Sequence, residues 1–492
     1  MSRPEKRIDA VEEELARRCP SRYKAEIGKY RVTLNELCFH CGYCADECPE
    51  GVFERLDGFN QLLPPHSYLC TGEKCAQGAF SCIEKCPVHA IAIEPDPQWR
   101  SLGDYRWTPD LILATWQQAE NGELPGDDYE YRTGASGGGF DRLEFITVNN
   151  DNPSVEMLTH INTAIELNKR PEGRGITISV PWYGGGMSYG SIGISTMLAR
   201  AIAAKAFQTF ISTGEGGYPA ELIPYKDNII TQIATGLFGV REETIQRAPL
   251  IEFKYAQGAK PGLGGHLLGD KNTQSVANMR EAVPGTSLFS PFPFHSVYSV
   301  EDHKKHIDWV KMMNPLALVS VKVSTPSDVD MVAVGSYYAG ANIIHLDGGY
   351  GGTGAAPEIA KKNIAMPIEY AITKVHSFLL FEGIRDEVVL IASGGIRTAH
   401  DIAKAIALGA DGVVIGTSEL VALGCVRCGN CESGRGCPRG IATTDPELDG
   451  QFTPEWGARR IMNLYASWQK QLRLILYQLG LNDVRDLRGR TD

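Results

Sequence analysis

Positive charge is in short supply in this chain: 48 Lys and Arg stand against 59 Asp and Glu, a formal net charge of −11. A nonspecific binder of phosphate backbones needs the opposite balance, so nucleic acid is not an expected partner. Long apolar runs are missing too. None reaches the roughly 18 residues that span a bilayer, and no membrane span is expected. The opening stretch, MSRPEKRIDAVEEELARRCP, has neither the apolar segment nor the small-residue cleavage site of an export signal, so a cytoplasmic location is expected. No GxGxxG opens a strand–helix unit, which argues against a pyridine-nucleotide domain. The run Gly137 to Gly139 is followed by no Lys-Ser or Lys-Thr pair and reads as a turn rather than a phosphate loop.

Cysteine, by contrast, is plentiful. In a reducing compartment the 13 cysteines are not expected to form disulfides, and their clustering makes them metal ligands. Cys19 stands alone and reads as a buried or idle thiol. Cys38, Cys41, Cys44 and Cys48 form C-x2-C-x2-C-x3-C followed by Pro49, a spacing that wraps backbone around an iron-sulfur cubane. Cys70, Cys75, Cys82 and Cys86 follow with looser spacing and again close on Cys-Pro, so the two groups read as a two-cluster ferredoxin. In that pattern the fourth cysteine of each group serves the other cluster. Cluster one takes Cys38, Cys41, Cys44 and Cys86; cluster two takes Cys70, Cys75, Cys82 and Cys48. A pair of zinc sites is the rival reading, disfavoured because C-x2-C-x2-C crowds three thiolates. Ile91 and Ile93 are expected in a short strand covering the second cluster. A third group, Cys425, Cys428, Cys431 and Cys437, offers a ligand for every iron of a 4Fe-4S cluster, with a 3Fe-4S cluster as the alternative.

A chain of 492 residues exceeds what one hydrophobic core organises. We divide it into an N-terminal helix (1–30), a ferredoxin-like two-cluster domain (31–95), linker and barrel entrance (96–170), a barrel (171–424), the third cluster segment (425–445) and C-terminal helices (446–492). The segment 96–170 is assigned no chemistry. From about residue 175 short apolar runs alternate with helical stretches: ITISV, TFIS, NIITQIA, IEFKYA, SLFS, ALVSVKVS, NIIHLDG, VVLIASGG and GVVIGTS. Glycine-rich loops follow the ends of these runs, which favours an α/β fold of the (β/α)8 TIM-barrel type over an open doubly wound sheet. The last two such loops, Ser393-Gly394-Gly395 and Gly416-Thr417, read as a cradle for the phosphate of FMN.

Taken together, GGGMSYGSIG, TGEGGYPAE, KYAQGAKPGLGGHLLG, VSVKV, GGTGAAP and ALGC resemble the FMN-binding synthase domain of glutamate synthase large subunits, over about residues 150–492. The absence of a leading glutaminase domain makes the short archaeal-type enzymes the nearer likeness. The resemblance implies a barrel holding FMN that reduces 2-iminoglutarate, made from 2-oxoglutarate and ammonia, to L-glutamate. It implies flavin and 2-oxoglutarate contacts for Glu215, Lys254, Gln257 and Lys260, a substrate-carboxylate role for Arg280, and flavin contacts for Lys322. Gly186, Met187, Ser188 and Thr213, with Gly351, Gly352 and Thr353, join the cofactor loops. A dicarboxylate suits arginine and lysine, and a reduced flavin is favoured by a nearby cation.

The sequence departs from the family at several places. His266 stands for a glutamine that touches the oxo acid, and Phe294, Ser296, Asp347 and Tyr350 alter neighbouring loops. Electrons are expected from a ferredoxin or a reductase subunit, ammonia free or from a separate amidotransferase subunit, and the chain is expected to work as an oligomer or complex subunit. The alternative function is an electron-transferring FMN and iron-sulfur subunit that binds no oxo acid. The tail RIMNLYASWQKQLRLILYQLG has apolar residues at helical spacing and reads as a packing helix.

Overall fold

The computed structural model describes residues 18–23, 27–56, 58–72, 75, 81–149, 151, 153–290, 294–354, 356–357, 359–361, 363–432 and 434–492. Positions 1–17 of the expected N-terminal helix lie outside the described residues. Strands β1 (Tyr30–Leu34) and β2 (Ile91–Pro95) pair antiparallel with Val32 opposite Ile93, and bracket the first two cysteine groups. Val32, Phe53, Leu62, Tyr68 and Ile91 form a small core there, joined by the buried Cys44 and Cys70. The short pair β3 (Ile165–Glu166) and β4 (Thr177–Ile178) leads into the main body.

Eight parallel strands then close into a barrel in chain order: β5 (Trp182–Gly184), β6 (Ile211–Ser212), β7 (Ile229–Ala234), β8 (Leu250–Lys254), then, after the hairpin β9 (His266–Leu267) and β10 (Leu288–Phe289), β11 (Leu318–Ser324), β12 (Ile343–Asp347), β13 (Val389–Ser393) and β14 (Gly412–Ile415). The last pairs with the first through Val414 opposite Tyr183. This is the expected (β/α)8 architecture, with two of the nine expected strand runs corrected. ITISV contributes only the antiparallel β4, and SLFS forms β10 against β9, where Phe289 is exposed. Barrel strands are buried on both faces, which neither short segment is. The first barrel strand is the three-residue WYG, whose Trp182 and Tyr183 are fully buried. It is too short to stand out as a periodic run.

The C-terminal helix Pro454–Gln478 is capped by Thr453, whose hydroxyl accepts from Trp456 N–H at 3.3 Å, and has proline in its first turn, where a missing N–H costs nothing. It is a packing helix, as expected. Gly457 meets Ala199 of the helix Ile194–Ala206 so closely that a Cβ would sit 2.8 Å from that methyl group. Trp468 packs edge-on to Trp182 with centroids 5.9 Å apart. Asn463 donates to the carbonyls of Ala119 and Glu120 at 3.1 and 2.9 Å, tying in the helix Pro109–Asn121. The buried Cys19 sits against this helix, its thiol 3.7 Å from Trp456 O. Among the described residues no helix is long and apolar enough to cross a membrane. Trp468→Ala should destabilise the fold by about 3–5 kcal/mol, read as a fall in the denaturation midpoint; a variant of unchanged midpoint would show that this helix does not brace the barrel.

Candidate active site

Side chains two apart on a strand share a face, and the inward faces of the barrel change character along the strands. Ile230, Leu250, Leu318, Ile343 and Val389 come first and are fully buried. Gln232, Glu252 and Lys254, Ser320 and Lys322, His345 and Asp347, and Ser393 come next, and these are linked across five strands. Glu252 accepts from Gln232 at 2.6 Å and Ser320 at 3.0 Å, and its Oε2 lies 2.8 Å from His345 Nδ1. His345 Nε2 is 2.8 Å from Ser393 Oγ, Ser393 donates to Asp347 at 2.7 Å, and Asp347 pairs with Lys322 at 3.3 Å. Burial alone would push the Glu252 carboxyl up, but His345, Lys322 and the Gln232 hydrogen bond hold it at about 2. Asp347 is likewise lowered against the effect of burial by Lys322 and His345, and Lys322 is raised because Asp347 and Glu252 outweigh its burial. The carboxylates stay ionised and the lysine stays charged.

Above this network lies a cluster of cations around one carboxylate. Glu215, three residues past β6, pairs with Lys254 at the end of β8 at 3.3 Å. A Cβ on Gly265, just before His266, would collide with the Glu215 carboxylate as it stands. Lys260 is buried, and its ammonium is pushed down to about 8 by burial and by Lys254. Lys254 is also lowered by burial, opposed by Glu215. Arg280 is buried and lowered to about 10 by burial, with Glu215 acting against the fall; its NH2 donates to Ser188 Oγ at 3.0 Å and Tyr189 O at 3.2 Å, while its Nε has no partner among the described residues. His266 stacks on Phe289 and is lowered by burial and Lys260. Gln257 joins through its carbonyl, which accepts from Lys260 N–H at 3.2 Å. All six candidate catalytic residues therefore gather at one side of the barrel mouth, by the loops after β6 and β8. Phe294 is buried against Tyr255 and Ser296 bonds His306 at 2.9 Å, both beside this region.

The glycine loops occupy the rest of the rim. Gly186 abuts the Gln232 amide, and Met187 and Ser188 crowd Gly214, which follows Thr213 in the left-handed region at φ 67°. Gly394 and Gly395 have φ of 92° and 111°, and Gly394 lies against Gly348 O, so only glycine fits. The Cβ that Gly352 lacks would be 2.6 Å from Thr417 Oγ1, which draws Gly351, Gly352 and Thr353 toward Gly416 and Thr417. A literal GxGxxG, Gly349 to Gly354, does occur after β12, but the next helix begins only at Ile368, so it opens no strand–helix unit.

A recess of about 370 Å³, open mouth included, is lined by Cys38, Cys41, Cys44, Cys82 and Cys86 with Leu34, Phe39, Tyr43, Leu62, Pro87, Val88, Ala90 and Ile91. Ile91, in the expected short strand, thus walls a recess shared by cysteines of both groups. Cys44 is pushed up to about 11 by burial, with Cys41 and Cys38 adding to it. Cys82 is pushed up to about 12 by burial and by Cys70, Cys48, Cys75 and Cys44. Cys86 thus shares the recess with Cys38, Cys41 and Cys44, and Cys48 lies near Cys82, as does Cys44; among the described residues no three such side chains stand together as a metal-binding group. At the barrel rim, Lys271 donates to Cys431 O at 2.5 Å and pairs with Glu432 at 3.4 Å, and a Cβ on Gly354 would sit 3.1 Å from the Cβ of Cys431. The third cysteine group, with Cys425, Cys428 and Cys437, therefore borders both the glycine loops and the cation cluster, where Glu432 acts against the lowering of Lys260 and His266.

Several contributors escape a reading by apolar runs. Glu252 and His345 sit inside hydrophobic strands, but polar residues alternating in Glu252-Phe253-Lys254, Ser320-Val321-Lys322 and His345-Leu346-Asp347 mark an inward polar face. Lys271 and Arg106 carried no signal.

A closed eight-stranded barrel with a cationic mouth and glycine-lined rim defines an α/β-barrel enzyme. A family model described as the conserved region in glutamate synthase matches residues 143–482. The archaeal-type glutamate synthase (NADPH) of Thermotoga maritima is 36% identical over 498 residues, covering 96% of this chain and 94% of its own. The archaeal glutamate synthase (NADPH) of Methanocaldococcus jannaschii is 36% identical over 505 residues, with 96% and 94% covered. The glutamate synthase (NADPH) large chain of Azospirillum brasilense is 38% identical over 315 residues, 62% of this chain and 20% of its own. The chain belongs to the glutamate synthase family, oxidoreductases acting on CH–NH2 donors.

Removing the charge of Glu252 weakens its hydrogen bonds with Gln232, Ser320 and His345 and takes from Lys322 the second anion beside Asp347. Glu252→Gln should cost about 3–5 kcal/mol, measured by equilibrium unfolding; a loss below about 1 kcal/mol would mean the network is not holding the barrel interior together.

Proposed function

We propose that this chain is the synthase subunit of an archaeal-type glutamate synthase, reducing the imine formed from 2-oxoglutarate and ammonia to L-glutamate. The observation that carries this reading is the convergence of Lys254, Lys260 and Arg280 on Glu215 at the barrel mouth, next to a thiol-rich loop. Lys254 is paired with Glu215, but the buried Lys260 and Arg280 have no ion-pair partner among the described residues, and a dicarboxylate restores the balance. A subunit that only passes electrons has no use for that surplus, so the oxo-acid reading is preferred.

The glycine rim, with close approaches at Gly352, Gly394 and Gly395, fits FMN, whose phosphate the Gly394-Gly395 and Gly416-Thr417 loops would hold. The recess that Cys86 shares with the first group, and the nearness of Cys48 to Cys82, support two 4Fe-4S clusters on Cys38, Cys41, Cys44 and Cys86 and on Cys70, Cys75, Cys82 and Cys48, with a third on Cys425, Cys428, Cys431 and Cys437. When bound, the clusters pass single electrons and the flavin supplies hydride. Within the protein, Arg280 and Lys260 bind the substrate carboxylates, Glu215 fixes Lys254 in place, and His266 offers a hydrogen bond to a keto or carboxylate oxygen. Asp347 keeps Lys322 protonated, so that its charge favours a reduced, anionic flavin ring. The relatives' names specify NADPH. With no dinucleotide fingerprint opening a strand–helix unit here, NADPH would be oxidised on a partner reductase or electrons would come from a ferredoxin; ammonia would arrive free or from an amidotransferase subunit.

Anaerobic assays with reduced viologen, 2-oxoglutarate and ammonium should yield glutamate; flavin-loaded protein that forms none would overturn the proposal. Lys260 is charged below its value of about 8 and loses its proton as pH rises through it. The KM for 2-oxoglutarate should therefore climb above that pH, by roughly tenfold over one to two units, and Lys260→Arg should remove the climb. A KM flat with pH in the wild type would rule Lys260 out as a carboxylate ligand. Cys86→Ser should lower the iron content by up to about four per chain, with FMN retained; unchanged iron would exclude Cys86 as a ligand.

A further inference from the structure

Outside residues 143–482, which the family model matches, lies a buried cation with no ion-pair partner among the described residues. Arg106 is 4% exposed, and among the described residues no carboxylate reaches ion-pair distance of it. Its guanidinium lies 3.7 Å from the ring centre of Tyr350, in the loop after β12. Its NH2 donates weakly to Gly395 O at 3.4 Å and would be 2.7 Å from a Cβ on that glycine. Glu369, a carboxylate that feels its charge, is itself pushed up by burial and among the described residues keeps an oxygen without a partner.

The backbone of Arg106 is held firmly. Its N–H donates to Asp104 Oδ1 at 2.8 Å, and its carbonyl accepts from Arg397 at 2.9 Å. Arg397 in turn is clamped by Asp401 at 2.7 Å and Asp141 at 2.6 Å. The fold thus fixes a guanidinium over the seventh barrel loop with, among the described residues, one side-chain hydrogen bond for its five donors. A buried unpaired charge costs several kcal/mol, and a planar fork of donors suits the oxygens of a phosphate. The carboxylate-binding cations Lys254, Lys260 and Arg280 stand by the loops after β6 and β8, at a different part of the rim. An anion at Arg106 is therefore a second group, beside Gly394 and Gly395.

We infer that Arg106, from the segment joining the cysteine-rich domain to the barrel, is the charged ligand of the phosphate of bound FMN. The inference rests on the flavin reading above. It gives the segment 96–170 a role in cofactor selection: a flavin lacking phosphate would leave Arg106 unpaired.

The test compares FMN with riboflavin, titrated by flavin fluorescence into protein freed of flavin under anaerobic conditions, for wild type, Arg106→Met and Arg106→Lys. Arg106→Met should weaken FMN by about tenfold or more and leave riboflavin within about twofold, since only the phosphate contact is lost. Arg106→Lys, which keeps the charge and carries the test should the methionine variant fail to fold, should weaken FMN alone and by less. Equal weakening of both flavins would make Arg106 a structural clip and overturn the inference, as would no change in either. Wild type that binds neither flavin would overturn the flavin reading itself, and wild type that binds both equally would overturn only the role of Arg106.

Discussion

Everything at the mouth of this barrel depends on keeping ionised groups inside it. The pair Lys322–Asp347 and the contact of Glu252 with His345 lie where water does not reach, and each is tolerated only because hydrogen bonds from Gln232, Ser320, Ser393 and the Gly258 N–H complete its coordination. The network spans β7, β8, β11, β12 and β13, so one strand cannot shift without breaking a bond in the next. That rigidity holds Lys254 and Lys322 side by side in register. It also lets two like charges coexist, each with its own carboxylate partner, Glu215 and Asp347.

The cysteine-rich parts are fastened to this framework by polar contacts. Arg427, between Cys425 and Cys428, pairs with Asp104 at 2.7 Å, two residues before Arg106. Lys271 reaches the Cys431 carbonyl from the loop between β9 and β10. On the function we propose, these contacts set the distance between the third cluster and the flavin, and the segment around Asp104 touches both. Tyr68, within the first cysteine domain, bonds Glu120, and Tyr129 donates to the Tyr68 carbonyl at 3.2 Å, joining that domain to the helix Pro109–Asn121.

Much of this was legible in the sequence because the signals were dense. Cysteine spacing marked three groups, and glycine loops after apolar runs marked a barrel and its active rim. What failed did so for physical reasons. Trp182–Gly184 is too short for periodicity, and SLFS has strand composition but forms a rim hairpin, because tertiary context decides which face is covered. The clustered residues Glu215, Lys254, Lys260, His266 and Arg280 were found through motifs rather than through patterning. Glu252 and His345 went unnoticed because a polar residue in a buried strand is costly alone, and its partners lie on other strands. Arg106 sits in an irregular segment where spacing carries no information, and only the folded chain brings it to Gly395.

The central claim is that the charged network and the cations above it make a site where reducing equivalents pass to the imine of 2-oxoglutarate. The most direct test is a single turnover: the protein is reduced chemically without oxygen and mixed with 2-oxoglutarate and ammonia, while flavin absorbance and glutamate are followed together. The account requires flavin reoxidation with glutamate formed in step with it. A flavin that stays reduced in the presence of both substrates, yet is reoxidised by a ferredoxin, would contradict it.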